Sequence, residues 1–266
     1  MVIFNKIISL LPESNRFELI WKLAQVDFKK RYYNDKLGLF WALLNPVFQV
    51  LIYWVVFTVA FKKSIAGIDN YALFLFSGLI FWMAFTETSR KGMRVLYQKK
   101  YLIQNIKDNK IDLYLSNTLS VFIGFHFNIF VFITLCLIFG IELSFNVLYL
   151  PLLIINLFLI SMGTGMILSF IHIYFKDINH IVDIIFLLGF WSSGIMFDSK
   201  VILDNFKAYY YLNPFIGLIQ NSRNILLYGN PIDIPMMSIN LFVSILLVVI
   251  GNYLIINKSY LVYERM

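Results

Sequence analysis

The sequence predicts an all-α membrane protein: six transmembrane helices, an N-terminal amphipathic interfacial helix, and an outer re-entrant helical hairpin between spans five and six. Three observations carry this. Residues 37–61 form a run of 25 positions without one charge, and about 20 apolar residues suffice for a helix to cross a bilayer. The stretch before it, RFELIWKLAQVDFKKRYYNDK (16–36), is basic and amphipathic. The chain is 60% hydrophobic and 14% charged, where soluble domains carry about a quarter charged residues. Little soluble mass is left over, so residues 1–266 read as a single transmembrane domain.

In chain order, MVIFNKIISLLPES has a short apolar stretch but no small-residue cleavage site after it. The first span is therefore expected to be uncleaved. In 16–36, Phe17, Trp21, Ala24, Phe28 and Tyr32 recur at helical spacing, with Glu18, Lys22, Gln25 and Lys29 on another face. A helix of this kind suits the headgroup boundary, as an anchor alone or as a contact for a soluble partner. Charge-poor runs place the spans at about 38–61, 70–88, 113–140, 147–175, 178–197 and 234–257. The segment 199–233 is too polar, and too broken at Asn213-Pro214, to be one span. It is apolar enough for two short helices dipping into the outer face, a backbone path tolerated where protein or a water-filled cavity covers it. An ordinary ordered loop is the other reading.

Lys and Arg set the orientation. Of the 22, all but Lys62, Lys63, Lys200, Lys207 and Arg223 fall on one side of this map. That side is cytoplasmic, with both termini on it. The net charge of +7 then reflects basic cytoplasmic loops, not a nucleic-acid partner. Cys136 is the single cysteine, so no intrachain disulfide is possible.

The functional candidates are few. No G-x-x-x-x-G-K-[ST] phosphate loop occurs. If the chain serves an ATP-driven process, a separate ATPase chain must hold the ATP and Mg, and no cofactor is expected in this chain. The 90–112 segment is the largest cytoplasmic surface available to that partner. Its candidate coupling residues are Lys99, Lys100, Tyr101, Leu102 and Ile106, apolar points among basic ones that suit a short helix in a groove. A solvated basic loop on anionic lipid would show the same pattern. Within the spans, ionisable residues are scarce. His126 has no buried acid or second His beside it in sequence and reads as a structural histidine. Glu87 and Asp183 lie near span ends, where cytoplasmic water or basic partners meet them. His172 and His180 lack zinc spacing, so no metal site is expected. Asp177, His180 and Asp183 form the one loose cluster and carry no catalytic spacing; no catalytic residue is assigned. Ser161, Gly165 and Ser169, with Gly163 adjacent, are spaced for close helix approach, within one chain or between two. Tyr53, Trp54, Phe57, Phe190 and Trp191 are candidates for a substrate path, because sugar rings pack their C–H faces on aromatic rings. Interfacial belts and lipid-facing side chains are the alternative for these rings, and Trp41 and Phe61 fit belts.

The run FKKRYYNDKLGLFWALLNP (28–46) resembles the start of the membrane subunit of ABC transporters that export polysaccharides: O-antigen, capsule and teichoic acid. Arg31, Tyr32, Leu37, Gly38, Trp41, Asn45 and Pro46 match that pattern. YFKDINHIVDII (174–185) resembles the family's stretch before the fifth span, through Lys176, where Arg is commoner, and Asp177. LNPFIGLIQNSRNILLYG (212–229) is similar to its outer region, through Asn213, Pro214 and Arg223. The segment 99–117 departs from the family in lacking Phe-Pro. The resemblance implies a homodimer with the export path between protomers and two copies of a nucleotide-binding ATPase subunit. The cargo it implies is a lipid-linked polysaccharide, moved across a bacterial or archaeal plasma membrane. Two other functions stay open: an ABC exporter of small lipids or drugs, and an integral-membrane glycan or lipid transferase.

The charge map makes a direct prediction. In a Cys136→Ser background, Lys100→Cys should label only from the cytoplasm and Asn205→Cys only from outside. Labelling of position 100 from outside intact cells would overturn the orientation.

Overall fold

The computed structural model describes residues 16–33, 35–56, 70–99 and 110–257. Among the described residues all regular structure is helical. It comprises α1 Arg16–Lys30, α2 Trp41–Tyr53, α3 Tyr71–Gln98, α4 Ile111–Ile138 and α5 Leu150–Tyr174. There follow α6 Ile178–Ser192, α7 Lys200–Asn205, α8 Lys207–Leu212, α9 Pro214–Leu226 and α10 Ile234–Asn257. Short 3₁₀ turns lead into α2 (Gly38–Phe40) and α5 (Phe145–Tyr149).

Among the described residues, five segments are long and apolar enough to cross a membrane: Gly38–Val56, α3, α4, Phe145–Tyr174 and 234–256. The apolar α6 has 15 residues, about 22 Å of helix against a hydrocarbon core of about 30 Å. The expected fifth span, 178–197, is thus a shorter helix followed by a turn at 193–199. The second span is longer than expected. Charge begins at Glu87, but α3 runs on to Gln98, because charge marks the edge of the bilayer and not the end of the helix. The outer segment holds three helices, two of them of six residues, instead of two.

α3 lies at the centre. Its apolar window is 83% buried, against 17–39% for the other four crossing segments. α4 packs on one side and α5 on the other, and α10 packs on α5. In lipid no hydrophobic force draws helices together, so close approach by small residues decides such contacts. A Cβ on Gly92 would stand 2.8 Å from the Gly165 Cα, and one on Gly163 would stand 2.7 Å from the Leu247 carbonyl carbon. The small-residue stripe of α5 therefore holds α3 and α10 within one chain. Buried hydrogen bonds fix the register: Tyr114 Oη to Ser169 Oγ at 2.7 Å, and Ser244 Oγ to Asn156 Oδ1 at 2.8 Å.

α1 lies along α4. It buries Ile20, Leu23, Ala24 and Phe28, while Phe17 and Trp21 are 73% and 40% exposed. The expected single aromatic face is thus divided. Phe28 stacks on Phe127 of α4 at 6.1 Å, while Phe17 is exposed and Trp21 edges an apolar groove beside Leu43 and Phe130. Polar pairs pin both ends: Arg16 meets Asp112 with three bonds of 2.7–3.0 Å, and Lys99 reaches Asp27 at 2.6 Å.

Replacing Gly92 with Val should overpack the α3–α5 contact by about 1–3 kcal/mol. The detergent-solubilised protein should melt several degrees lower or elute as aggregate. Unchanged melting would show that the two helices separate freely.

Candidate functional site

The residues singled out between 31 and 46 converge in space. α1 ends at Lys30, and the chain turns through Gly38, whose φ of +50° favours a residue without a side chain. It then re-enters as α2. This return brings Arg31, Tyr32, Asn45 and Pro46 onto the wall of one cavity of about 240 Å³, shared with Gln49, Glu87 and Asn128. Pro46 sits inside α2 and cannot donate to the Ala42 carbonyl, and Ala42 lines the same cavity. Arg31 Nη1 pairs with Glu87 Oε1 at 2.8 Å, and Lys91 Nζ takes the same oxygen at 2.9 Å. Arg31 Nε and Nη2 are buried with no protein partner among the described residues. Burial pushes the Tyr32 phenol up, so it remains a neutral hydroxyl at physiological pH. The cavity thus offers a guanidinium, a phenol and side-chain amides to a polar ligand. Of the motif residues, Gly38 and Trp41 serve the turn into α2 instead of the cavity wall.

The second block, Lys176 and Asp177, forms the α5–α6 turn. Lys176 stands with its ammonium 6.0 Å from the centre of the Tyr97 ring, and its carbonyl accepts from Asn179 Nδ2 at 2.8 Å. Asp177 accepts the His180 backbone N–H at 3.0 Å through its carbonyl; its side chain does not cap α6. Arg90 of α3 meets Asp183 of α6 at 3.0 Å and lies over Phe186 at 5.3 Å. The block fastens the α5–α6 turn and α6 to the charged end of α3.

The third block is a clasp at the opposite end of α3. Asn213 Oδ1 accepts from Phe215 N at 3.0 Å and caps α9, and Pro214 takes the first helical position, where a missing N–H costs nothing. Arg223 is fully buried. Its guanidinium donates to the Gly194 and Ile195 carbonyls at 2.8 and 2.7 Å and to the Phe74 carbonyl at 3.3 Å. It also lies 3.5 Å over the Phe74 ring. Its partners are backbone carbonyls, and through them α9, the turn after α6 and the start of α3 become one unit. Tyr71 Oη adds a bond to the Met196 carbonyl at 2.6 Å.

Among the described residues, the aromatic candidates are not gathered into one lined channel. Tyr53 is half-buried against the core and accepts a bond from Gln49 Nε2 at 3.3 Å; Trp54 is 39% exposed. Phe190 packs partly on the core and meets Trp191, which is 54% exposed, at 5.5 Å. Phe57, Lys100, Tyr101, Leu102 and Ile106 lie outside the described residues. Lys99, expected on a docking surface, is turned inward onto Asp27, with Ser116 Oγ at 3.3 Å. His126 bonds its Nδ1 to the Phe122 carbonyl at 2.6 Å, within its own helix. Reasoning from the sequence missed Gln49 and Asn128. They are ordinary polar residues in apolar spans, and the signal available was that each interrupts a hydrophobic run.

The model of the ABC-2 type transporter family matches residues 18–227. The chain belongs to the ABC-2 type transporter family. Within this family it is similar to the O-antigen export system permease protein RfbA of Klebsiella pneumoniae, at 25% identity over 236 residues, 88% of this chain and 90% of the relative. It is also similar to RfbA of Myxococcus xanthus, at 24% over 209 residues, 78% of this chain and 79% of the relative. The polysialic acid transport protein KpsM of Escherichia coli is 24% identical over 207 residues, 76% of this chain and 79% of the relative. The matched region of the ABC-2 chain takes in the Arg31 cavity, the α5–α6 turn and the Arg223 clasp.

Arg223→Met should leave the Gly194 and Ile195 carbonyls without donors, at about 1–3 kcal/mol each, and collapse the yield of folded protein. Arg223→Lys should rescue little, because a point ammonium cannot span the Gly194, Ile195 and Phe74 carbonyls together. Full rescue by Lys, measured as monodisperse yield in detergent, would show that charge alone matters there.

Proposed function

We propose that this chain is the transmembrane subunit of an ATP-driven exporter that moves a lipid-linked polysaccharide across the plasma membrane. The observation that carries the reading is the ABC-2 match over residues 18–227, joined to relatives named for O-antigen export and polysialic acid transport that align over three quarters or more of both chains. In this reading the chain crosses six times, with both termini in the cytoplasm. α6 and the turn after it make the fifth crossing, and α7, α8 and α9 form the re-entrant outer region.

The energy enters through a separate ATPase. Two copies, holding ATP and Mg, engage the segment between α3 and α4. α3 supports this role as a rod: its charged end leads into that segment, its middle is enclosed by the bundle, and its far end sits in the Arg223 clasp. A push on one end reaches the outer region without a flexible link. A second copy of the chain completes the path. α2 leaves Phe48, Leu51, Ile52 and Trp54 exposed, and α6 leaves Ile184, Leu187, Leu188 and Trp191 exposed. Facing a second copy, these surfaces would make an aromatic track on which a polymer slides without one tight site.

The test is export in a host lacking the chromosomal copy of this gene. The wild-type chain should restore surface polysaccharide. The triple variant Tyr53→Ala, Trp54→Ala, Trp191→Ala should insert and assemble normally yet export at least tenfold less, with lipid-linked polymer accumulating inside. Normal export by the triple variant would remove the aromatic track and favour a small-lipid cargo. Failure of the wild-type chain to restore polysaccharide would remove the export reading.

A further inference from the structure

A second polar cleft lies beyond Glu87, toward the charged end of α3. It has a volume of about 310 Å³, and its wall carries Arg90, Lys91, Arg94 and Lys99. The acid on that wall, Asp27, is already held by Lys99 at 2.6 Å and also stands 4.0 Å from Lys30. Glu87, which pairs with Lys91, is shared with Arg31, and Asp183 pairs with Arg90 from outside the cleft. Arg94 meets no carboxylate among the described residues; its contact is Asn179 Oδ1 at 3.4 Å. Positive charge therefore remains in excess around one open cleft.

The floor of the cleft is polar. Ser120 is 1% exposed and lines the cleft, and its hydroxyl has no hydrogen-bond partner among the described residues. This is unusual for its helix, where Ser116 and Thr118 each bond back to a carbonyl of the preceding turn. Buried hydroxyls are nearly always satisfied. Asn117 sits beside it, its Nδ2 given to the Thr88 carbonyl at 3.3 Å.

We propose that this cleft binds a phosphoryl group, either on a lipid headgroup or on a free phosphate. Several cations around one small volume match an anion with several oxygens, and arginine forks match phosphate geometry. A single carboxylate would occupy one fork and leave the rest unmatched. The Lys and Arg bias places this end of α3 at the cytoplasmic headgroup level, where lipid phosphates lie within reach. The inference needs no transport event and stands apart from the export reading.

The test uses the full-length chain in nanodiscs and reads its unfolding temperature and its affinity for inorganic pyrophosphate. In phosphatidylcholine discs pyrophosphate should raise the unfolding temperature of the wild type. Arg94→Gln removes a cation without stranding an acid, so the protein should fold normally and bind roughly tenfold more weakly. Lys29→Gln, an equal charge change on the exposed side of α1, should leave affinity unchanged. Adding phosphatidic acid to the discs separates the two sources. Weaker pyrophosphate binding in the wild type, with no such weakening in Arg94→Gln, assigns the cleft to a lipid headgroup. Undiminished binding assigns it to a free phosphate. Two results would overturn the proposal: no stabilisation of the wild type by pyrophosphate or by phosphatidic acid, or equal losses in the Arg94 and Lys29 variants.

Discussion

Lipid gives two apolar helices no reason to prefer each other, so the enclosure of α3 rests on backbone contact at Gly92 and Gly165. The polar contacts along α3 depend on that enclosure. α3 carries Ser77, Glu87, Arg90, Lys91 and Arg94, groups that are costly to leave in hydrocarbon. Held at the centre, it meets α1, α4 and α6 on its charged half and α9 on its other half. Ser77, Glu87, Arg90 and Arg94 then meet Arg223, Arg31, Asp183 and Asn179 of neighbouring segments, and Lys91 pairs with Glu87 on the same helix.

The two ends of α3 solve different problems. At one end the charges are plural and shared: Glu87 serves Arg31 and Lys91, and Asp27 serves Lys99 and Lys30. Sharing leaves cations over, and they surround two adjoining clefts. At the other end a single cation, Arg223, is spent on backbone carbonyls. Carbonyl oxygens at the turn after α6 have no helical donors, and a five-donor guanidinium satisfies several at once without introducing an acid. One end is built to meet other charged groups and the other to hold a turn closed.

Much of the site was legible in the sequence, and in an instructive way. Arg31, Tyr32, Asn45 and Pro46 stood out as residues of one motif, and the fold gathers them on one wall. Their meeting with Glu87 and Asn128 was not legible, since those residues lie 40 or more positions further along the chain and no local spacing links them. Arg223 stood out as a motif residue too, but its role as a clasp could be read only from the carbonyls around it. The aromatic candidates show the reverse. Spacing put Tyr53 and Trp54 on one helix and Phe190 and Trp191 on another, yet α2 rests on α3 and α4, while α6 joins α5 at its turn and meets α3 through Phe186 against Trp82. A track through all four requires a surface that a single chain does not close.

What the sequence determined by itself was the class of object: an all-helical chain with helices that cross a membrane, and their order. Hydrocarbon imposes those constraints locally. A backbone in lipid must satisfy its own hydrogen bonds, and a charge must sit near water, so each stretch of about 20 residues declares its place without reference to the rest. Only the tertiary structure decided which helix lies at the centre, where α3 ends, how the aromatic face of α1 divides, and which acids neutralise which bases. Those outcomes depend on contacts between segments far apart in the chain, and in a medium as apolar as the helices themselves hydrophobicity cannot choose among them. Shape at Gly92, Gly163 and Gly165, and the pairing of a few charges, make that choice.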